Sequence, residues 1–248
     1  MAADEPDCGL LLYTYWRSSC SYRVRIALHH KRLAFESRAV HLVRDGGQQL
    51  AAAYADVNPM KEVPALVLAR LPPALAGAGA GAGAGAASGA PIVLTQSPAI
   101  LEFLEEAFPG RAPLLPRDAL LRCRVRELCA VVACDTQPVQ NLRVLKQVAG
   151  FFEAPADKEK ARLEWAQRCI GAGLGALEVL MARSAGRFSV GDEVTLADVM
   201  LAPQVYNAIR FKVDLAAFPT VARVYAACME LDAFKAAQPS AQPDAEPE

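Results

Sequence analysis

The sequence predicts an α/β domain followed by an all-α domain, and three observations carry this prediction. The first part of the chain alternates short apolar runs with helical patterns, in the order βαβ, a short helix and then ββα. Three prolines and one glycine interrupt the chain within residues 108–116. From residue 118 onward strand patterns disappear, and apolar residues recur at helical spacing. We therefore expect one domain over residues 9–108, a linker over 109–117 and a helical bundle over 118–236.

The first elements of the α/β part each have a local signal. Residues 9–15 (GLLLYTY) are apolar and aromatic behind a glycine, which predicts a buried strand. Ser18 and Ser19 are good N-cap residues and predict a helix over residues 18–32. Residues 35–43 alternate as a strand does, and residues 47–54 form a short helix that ends before the Asn-Pro pair at 58–59.

Two short strands and one helix complete this domain. The strands are residues 64–68 and 91–94, and Ser97 followed by proline opens the helix. This order is that of a thioredoxin-like domain, whose last two strands form an antiparallel hairpin. Residues 76–87 between these strands contain seven Ala and five Gly, so we predict a flexible loop insertion at about 70–90.

The helical part contains four long or medium patterns, near residues 119–148, 158–183, 195–210 and 220–231. Thr195 and Asp198 have the spacing of a capping box. Residues 237–248 contain three prolines and no large apolar side chain, so we predict a disordered tail.

Composition excludes several classes of protein. With 26 Lys+Arg against 27 Asp+Glu, the chain lacks the basic excess that nucleic acids or anionic membranes attract. The longest uncharged stretch, residues 71–101, contains four prolines and does not predict a membrane span. The acidic N-terminus does not resemble a signal or transit peptide. Seven cysteines without a CxxC pair, together with three histidines, predict free thiols in a reducing compartment and no metal site.

Residues 17–23 (RSSCSYR) carry the chemistry that the sequence suggests. At a strand-to-helix turn they place hydroxyls, a thiol and free amides at the positive end of a helix, which favours a thiolate. Lowering the pKa of a bound thiol from ~8.5 by about two units needs roughly 2.7 kcal/mol. A hydroxyl donor contributes roughly 1.5–3 kcal/mol and the helix end ~0.3–1, so no histidine is required. Alone, the pattern fits an ordinary helix cap followed by a buried cysteine equally well.

Longer motifs add a family resemblance to this local signal. The strings SSCSYRVRIAL (18–28), NPMKEVP (58–64), QS (96–97), QPVQNLRVL (137–145), VGDEVTLAD (190–198) and RFKVDL (210–215) resemble zeta-class glutathione transferases, also known as maleylacetoacetate isomerases. The resemblance runs from about residue 11 to residue 234. It implies a glutathione-binding N-terminal domain, a helical C-terminal domain and a cytoplasmic homodimer. It also implies that glutathione acts as a cofactor in converting maleylacetoacetate to fumarylacetoacetate during tyrosine and phenylalanine breakdown.

The same resemblance implies roles for individual residues. Ser18 hydrogen-bonds the glutathione sulfur, with Ser19 and Cys20 beside it. Gln49 contacts the glycyl end, and the backbone of Val63, before a cis Pro64, pairs with the cysteinyl part. The γ-glutamyl end lies at the start of the helix that Ser97 opens. Arg210 binds a substrate carboxylate. The other residues assigned to glutathione are Ser21, Tyr22, Arg23, Gln96, Gln137, Asn141, Leu142 and Arg143.

Three alternatives stay open from the sequence. The same site can conjugate glutathione to small α-haloacids, because Arg210 suits either carboxylate substrate. The chain can instead be a non-catalytic glutathione-transferase-like binding module. A thiol oxidoreductase centred on Cys20 is a further possibility, although no CxxC partner is present. The sequence also leaves open whether Ser18 or Cys20 contributes more to the rate. The insertion and an extra segment near residues 152–160 depart from the family pattern.

Overall fold

The computed structural model describes residues 8–75 and 90–247. The chain divides into two compact units. Unit 1 combines Met1–Pro113 with Asp232–Glu248, and unit 2 is Leu114–Leu231. The boundary between Pro113 and Leu114 falls inside the predicted linker. The boundary between Leu231 and Asp232 assigns the end of the chain to unit 1.

Unit 1 contains a four-stranded mixed sheet. Its strands are β1 (Leu10–Thr14), β2 (Phe35–Ala39), β3 (Ala65–Leu68) and β4 (Ile92–Thr95), in the spatial order β2-β1-β3-β4. Strand β2 is parallel to β1, while β3 is antiparallel to both β1 and β4. This arrangement confirms the thioredoxin-like prediction, including the terminal hairpin.

Three helices of unit 1 follow the chain order that the sequence predicts. They are α1 (Ser19–His30), α2 (Ala52–Ala55) and α3 (Ser97–Ala107). Ser18 is the N-cap of α1, as predicted. The N-cap of α3 is Gln96 and not Ser97, so Ser97 is the first helical residue. Within residues 47–54, where we predict one short helix, a 3-10 turn (Gln48–Leu50) comes before α2.

Unit 2 is all-helical, as predicted. Its helices are α4 (Ala119–Ala130), α5 (Leu142–Gly150), α6 (Pro155–Met181), α7 (Leu196–Arg210) and α8 (Pro219–Met229). The prediction of one helix over residues 119–148 is wrong. A π-helical turn, Val131–Thr136, and a 3-10 turn, Pro138–Gln140, separate α4 from α5. Pro138 has no N–H to continue the α-helical ladder, so the chain starts a new helix.

Two local contacts shape unit 2. An added Cβ at Gly173 in α6 would lie 2.1 Å from Thr136 Oγ1, so only glycine allows α6 to pack this closely on the π-helical turn. The predicted capping box is present at α7. Asp198 Oδ2 accepts hydrogen bonds from Thr195 N (2.8 Å) and Thr195 Oγ1 (3.0 Å).

The end of the chain departs from the prediction of a disordered tail over residues 237–248. Helix α9 (Asp232–Ala237) and a 3-10 turn, Pro239–Ala241, pack on unit 1. The side chains of Phe234 and Ala237 are fully buried. Two residues of α1 bind this segment, because Tyr22 OH donates to Phe234 O and Arg25 Nε donates to Ala237 O. The disorder prediction is therefore wrong for residues 237–247. It fails because the stabilising partners are more than 200 positions away in sequence.

The Ala/Gly segment, where we predict a flexible insertion, lies outside the described residues for positions 76–89. Within residues 8–75 and 90–247, no helix is long and apolar enough to cross a membrane. The same residues contain no group of His, Cys, Asp and Glu side chains arranged to hold a metal ion.

Candidate functional site

The register of the sheet brings the predicted site segments of unit 1 to one edge. Ala65 of β3 pairs with Tyr13 of β1 and with Thr95 of β4, and Thr14 of β1 pairs with Ala39 of β2. The segments that follow β1, β2 and β4, and the segment that precedes β3, therefore all leave the sheet at this edge. They contain Ser18, Gln49, Val63, Gln96 and Ser97, which were predicted to bind glutathione.

Ser18 occupies the turn between β1 and α1 and is half-buried. Its Oγ accepts a hydrogen bond from the backbone N–H of Ser21 at 3.1 Å. A hydroxyl has one donor and two acceptor positions, so this N-cap contact leaves the O–H of Ser18 able to donate. Accepting a hydrogen bond also polarises the hydroxyl and strengthens it as a donor. The geometry thus provides a donor for an anion such as a thiolate at the positive end of α1.

Ser19 and Cys20 occupy the first turn of α1, as predicted. Ser19 is 6% exposed and Cys20 is half-buried. The N–H groups of a first helical turn have no partner within their own helix, so they add to the positive potential around Ser18. These two residues therefore lie beside the Ser18 hydroxyl in the chain and shape the same helix end.

The next three residues do not offer their side chains to a ligand. Ser21, Tyr22 and Arg23 are each at most 1% exposed. Tyr22 OH donates to Phe234 O at 3.3 Å, and Arg23 Nη1 donates to Ser97 Oγ at 3.2 Å. Helix α1 turns these side chains into the interior of unit 1, so their assignment to glutathione stays a prediction from the resemblance.

The start of α3 forms a second anion-favouring position. Gln96 is exposed and adopts a φ of 68°, which is unusual for a residue other than glycine. Ser97 is 3% exposed, and its hydroxyl is held by Arg23. The Nε and Nη2 atoms of Arg23 have no hydrogen-bond partner among the described residues. A buried positive charge and the α3 dipole therefore both favour a carboxylate next to Ser97.

Val63 has a backbone geometry that suits an extended ligand. The Val63–Pro64 peptide bond is cis, as predicted. Among the described residues, no hydrogen bond engages the backbone N–H or C=O of Val63. An extended peptide can pair with such free groups as an added strand does.

Two side chains hold the preceding residue in place. Tyr54 OH and Asn58 Nδ2 both donate to Glu62 O, at 2.8 and 2.6 Å. Burial raises the pKa of Tyr54 and keeps its hydroxyl protonated as a donor. Asn58 also accepts from Met60 N through Oδ1 at 3.0 Å. Neither residue is predicted from its type and position, although Asn58 belongs to the NPMKEVP motif, which is a sufficient signal.

Gln49 lies at the same edge and has a free acceptor. Its side chain is 8% exposed, and Nε2 donates to Leu42 O at 3.4 Å. Among the described residues its Oε1 has no partner, so it can accept from an amide N–H of a ligand. Gly47 has a φ of 114°, and an added Cβ there would lie 2.7 Å from Gln49 Nε2. The φ of 114° is a conformation that other residues rarely adopt, so glycine is favoured at this point of the loop.

The remaining predicted residues belong to unit 2. Gln137 is 9% exposed and follows the π-helical turn. Asn141 caps α5, because its Oδ1 accepts from Arg143 N at 3.1 Å, and Leu142 is the first residue of that helix. Arg210 is exposed in the last turn of α7, and its guanidinium carbon lies 5.1 Å from the centre of the Phe211 ring. A cation at a helix C-terminus is favoured by the helix dipole, which gives Arg210 a structural reason for its position as well.

The mixed sheet of unit 1 and the helices of unit 2 define a protein with a thioredoxin-like domain and an all-helical domain. A family model described as the N-terminal domain of glutathione S-transferase matches residues 17–107, and one described as its C-terminal domain matches residues 144–237. The chain belongs to the glutathione S-transferase family. Within this family it falls in the zeta class, which confirms the resemblance seen in the motifs.

Several relatives are similar over nearly their whole length. Maleylacetoacetate isomerase of Rattus norvegicus is 43% identical over 234 residues, covering 94% of this chain and 94% of the relative. Maleylpyruvate isomerase of a Ralstonia species is 45% identical over 235 residues, covering 94% and 98%. A crystal structure of maleylacetoacetate isomerase from Anaeromyxobacter dehalogenans with glutathione in the active site has a TM-score of 0.79 and 44% identity, covering 96% of this chain and 98% of that one.

Proposed function

We propose that this protein is a glutathione-dependent cis–trans isomerase that converts maleylacetoacetate to fumarylacetoacetate. The observation that carries the proposal is the arrangement at Ser18. Its Oγ accepts from Ser21 N, so its own O–H is free to donate at the start of α1. The rat and A. dehalogenans relatives bear the name of this activity, and the A. dehalogenans structure contains glutathione.

The proposal assigns a residue of unit 1 to each part of glutathione. The Ser18 hydroxyl donates to the sulfur, and the free backbone groups of Val63 pair with the cysteinyl part. The start of α3, with Gln96 and Ser97, receives the γ-glutamyl carboxylate. The unpartnered Oε1 of Gln49 accepts from the amide at the glycyl end. The contributions of Gln137, Asn141, Leu142 and Arg143 to glutathione binding stay predictions from the family resemblance.

When bound, glutathione supplies a thiolate that adds reversibly to the conjugated cis double bond, so that the resulting single bond can rotate before elimination. The residues of this chain make the thiolate available at neutral pH. A hydrogen bond to a charged group contributes about 1.5–3 kcal/mol, which lowers the thiol pKa by about one to two units. Because Ser18 keeps its proton throughout, it stabilises the thiolate both before addition and after elimination.

The substrate brings carboxylate groups that need a cationic partner. We assign this role to Arg210, whose exposed guanidinium can bind a carboxylate through two parallel hydrogen bonds. A second structure of the A. dehalogenans protein holds dicarboxyethyl glutathione and citrate in its active site; it has a TM-score of 0.78 and 42% identity, covering 96% of this chain and 94% of that one. A sulfur adduct with two carboxylates is the kind of molecule that addition to an unsaturated dicarboxylate produces.

Maleylpyruvate is a second candidate substrate, because the 45% identical Ralstonia relative is named for it. Both compounds carry a cis double bond conjugated to a carbonyl group, so the same thiolate chemistry serves both. Conjugation of α-haloacids is the third candidate. It differs from the other two because glutathione is consumed and halide is released.

We also propose a cytoplasmic homodimer. All seven cysteines are free in the structure, which suits a reducing compartment. Unit 1 exposes several large apolar side chains outside its core, namely Leu50, Met60 and Val93. Such side chains favour a protein–protein interface. Light scattering after size-exclusion chromatography measures the mass directly, and a mass of 26.5 kDa would contradict the dimer.

The test of the proposed activity is a turnover assay with and without glutathione. Maleylacetoacetate, maleylpyruvate and a chloroacid are offered separately to the wild type, to Arg210→Gln and to Arg162→Gln. Arg162 lies in α6, pairs with Glu159 and serves as the partly exposed control arginine. We expect glutathione-dependent formation of fumarylacetoacetate, with a KM for the substrate that rises about tenfold or more in Arg210→Gln alone. Absence of isomerisation by a wild type that binds glutathione would contradict the proposal.

A further inference from the structure

The turn that presents Ser18 is held by side chains from elsewhere in unit 1. Ser18 N donates to Tyr15 O at 3.0 Å, which closes the turn over residues 15–18. Arg25, fully buried in α1, donates from Nη1 to Tyr15 O at 3.3 Å and from Nη2 to Trp16 O at 3.1 Å. The same Nη1 donates to Thr14 Oγ1 at 2.9 Å. The carbonyl groups of this turn are therefore fixed from the side of α1.

The opposite side of the turn is fixed by the end of the chain. Asp244 Oδ2 accepts a hydrogen bond from the backbone N–H of Trp16 at 3.0 Å, across 228 positions of sequence. A hydrogen bond from a backbone N–H to a carboxylate is stronger than one between neutral groups. Trp16 is thus held through its N–H by Asp244 and through its C=O by Arg25.

The two neighbours of Asp244 hold it in this position. Ala245 packs against a buried cluster that contains Tyr15, Trp16 and Val63. Glu246 forms an ion pair with Arg44 and lies 3.3 Å from His41 Nε2. Residues 244–246, which we call the carboxyl-terminal strap, therefore contact the segments that carry Ser18, Val63 and the loop before Gln49.

The direction of the Ser18 hydroxyl depends on this turn. Hydrogen bonds weaken steeply once donor and acceptor leave their preferred distance and angle. A site works at full rate when its groups are held within about 0.5 Å of the productive geometry. Trp16 lies only two residues before Ser18, so a change of the Trp16 peptide plane moves the N-cap that Ser18 provides.

We propose that Asp244 is a positioning residue for glutathione activation: by binding the Trp16 amide it holds the turn in the conformation in which Ser18 donates to the sulfur. The proposal rests on the proposed role of Ser18 toward glutathione. Asp244 acts through the backbone and does not touch the sulfur. The strap thus supports the active site from outside it.

If Asp244 has only a structural role, a different result is expected. The fully buried side chains of Phe234 and Ala237 already anchor helix α9, which precedes the strap. Loss of Asp244 would then lower stability slightly and leave the chemistry of bound glutathione unchanged.

The experiment compares Asp244→Ala, Asp244→Asn and Asp118→Ala in the full-length protein. Asp118 caps α4 by accepting from Leu121 N at 2.8 Å, so it is a matched carboxylate-to-amide contact in unit 2. Hydrogen–deuterium exchange of the peptide that contains Trp16 is measured first, without glutathione. The thiol pKa of bound glutathione then follows from the thiolate absorbance against pH, and kcat and KM are measured with the same proteins.

We expect Asp244→Ala to speed exchange at Trp16, to raise the thiol pKa of bound glutathione by about one pH unit and to lower kcat about tenfold at neutral pH. Asp244→Asn keeps an acceptor oxygen, so its Trp16 exchange, thiol pKa and kcat should all lie close to the wild-type values, while Asp118→Ala should match the wild type in all three. If exchange at Trp16 speeds up but the thiol pKa and kcat stay at wild-type values, Asp244 is structural and the inference is wrong. If the wild type itself does not ionise bound glutathione, the proposed function fails instead.

Discussion

Arg23 and Ser97 connect the two helix starts at which unit 1 is proposed to bind glutathione. Arg23 is 1% exposed in α1, and its Nη1 donates to the Oγ of the first residue of α3 at 3.2 Å. Because Ser97 Oγ accepts from Arg23, its O–H can donate to a ligand carboxylate. We therefore expect Arg23 to act on the proposed γ-glutamyl position through Ser97.

Replacing Arg23 with methionine should weaken glutathione binding without a matching loss of stability. Two of its donor atoms have no partner among the described residues, and an apolar side chain of similar volume removes that unfavourable burial. We expect the Kd for glutathione to rise about five- to tenfold, while kcat at saturating glutathione changes little. Calorimetric titration and urea unfolding check both parts. An unchanged Kd in Arg23→Met would contradict this role, and Arg23→Lys, which keeps the charge, should lie between the two.

Replacing Ser18 with alanine should separate the hydroxyl from the neighbouring thiol of Cys20. The variant loses a donor worth about 1.5–3 kcal/mol to a charged sulfur, so the rate should fall about 10- to 100-fold. The loss of the N-cap should also lower the free energy of unfolding by about 0.5–2 kcal/mol. Cys20→Ala serves as the control and should keep most of the activity. If Cys20→Ala loses as much rate as Ser18→Ala, the thiol and not the hydroxyl carries the activation.

Replacing Asn58 with alanine should act on glutathione binding through Val63. The change removes one of two donors to Glu62 O and leaves Met60 N without its acceptor. We expect a loss of about 1–2 kcal/mol in unfolding free energy and a higher KM for glutathione. The kcat should change less, because pairing with the Val63 backbone is the same in the ground state and the transition state. Tyr54→Phe, which removes the other donor, should raise the KM for glutathione to a similar extent as Asn58→Ala. A fall in kcat alone would contradict the explanation.

Glu178 should make the stability of unit 2 depend on pH. Partial burial raises its pKa, but hydrogen bonds from the Thr220 side chain and from the backbone N–H groups of Val221 and Thr220, together with the charge of Arg223, outweigh burial and lower the pKa below the usual value. A carboxylate with a lowered pKa in the folded state stabilises the fold above its unfolded pKa, and this contribution is lost as the pH falls. Because the group is partly solvated, we expect less than about 1 kcal/mol.

The measurement is urea unfolding of the wild type and of Glu178→Gln between about pH 7 and about pH 4. The difference in unfolding free energy should favour the wild type at the upper end and shrink toward acid. Glutamine keeps acceptor capacity without a titrating charge, so a constant difference over this range would be evidence against the lowered pKa.

Several elements of the fold could be predicted because a few neighbouring residues determine them. The apolar run at residues 10–14, the serine before α1 and the Thr195–Asp198 pair each determine a strand, a cap or a capping box from a few neighbouring residues. The break between α4 and α5 has its own local signals, Pro138 and the capping Asn141, but the apolar spacing on both sides hid them.

The parts that the sequence did not predict depend on distant partners. Nothing near residue 244 indicates an acceptor for Trp16, because the contact exists only once the sheet and α9 are in place. Likewise, the position of Tyr22 and Arg23 within a glutathione-binding motif suggested ligand contact. Helix α1 instead buries them beneath the motif, where they hold Phe234 and Ser97.

The register of the sheet also identifies where the molecule tolerates additions. The site segments leave the sheet where Ala65 pairs with Thr95, whereas the long insertion joins β3 to β4 beyond the Leu68–Ile92 pair at the other end. Chain length can thus grow at one end of the sheet while the end that carries the proposed site keeps its spacing. For engineering, the β3–β4 connection is the natural place to attach a fluorophore or an affinity handle, and the carboxyl terminus, where such tags are usually fused, is the place to leave untouched.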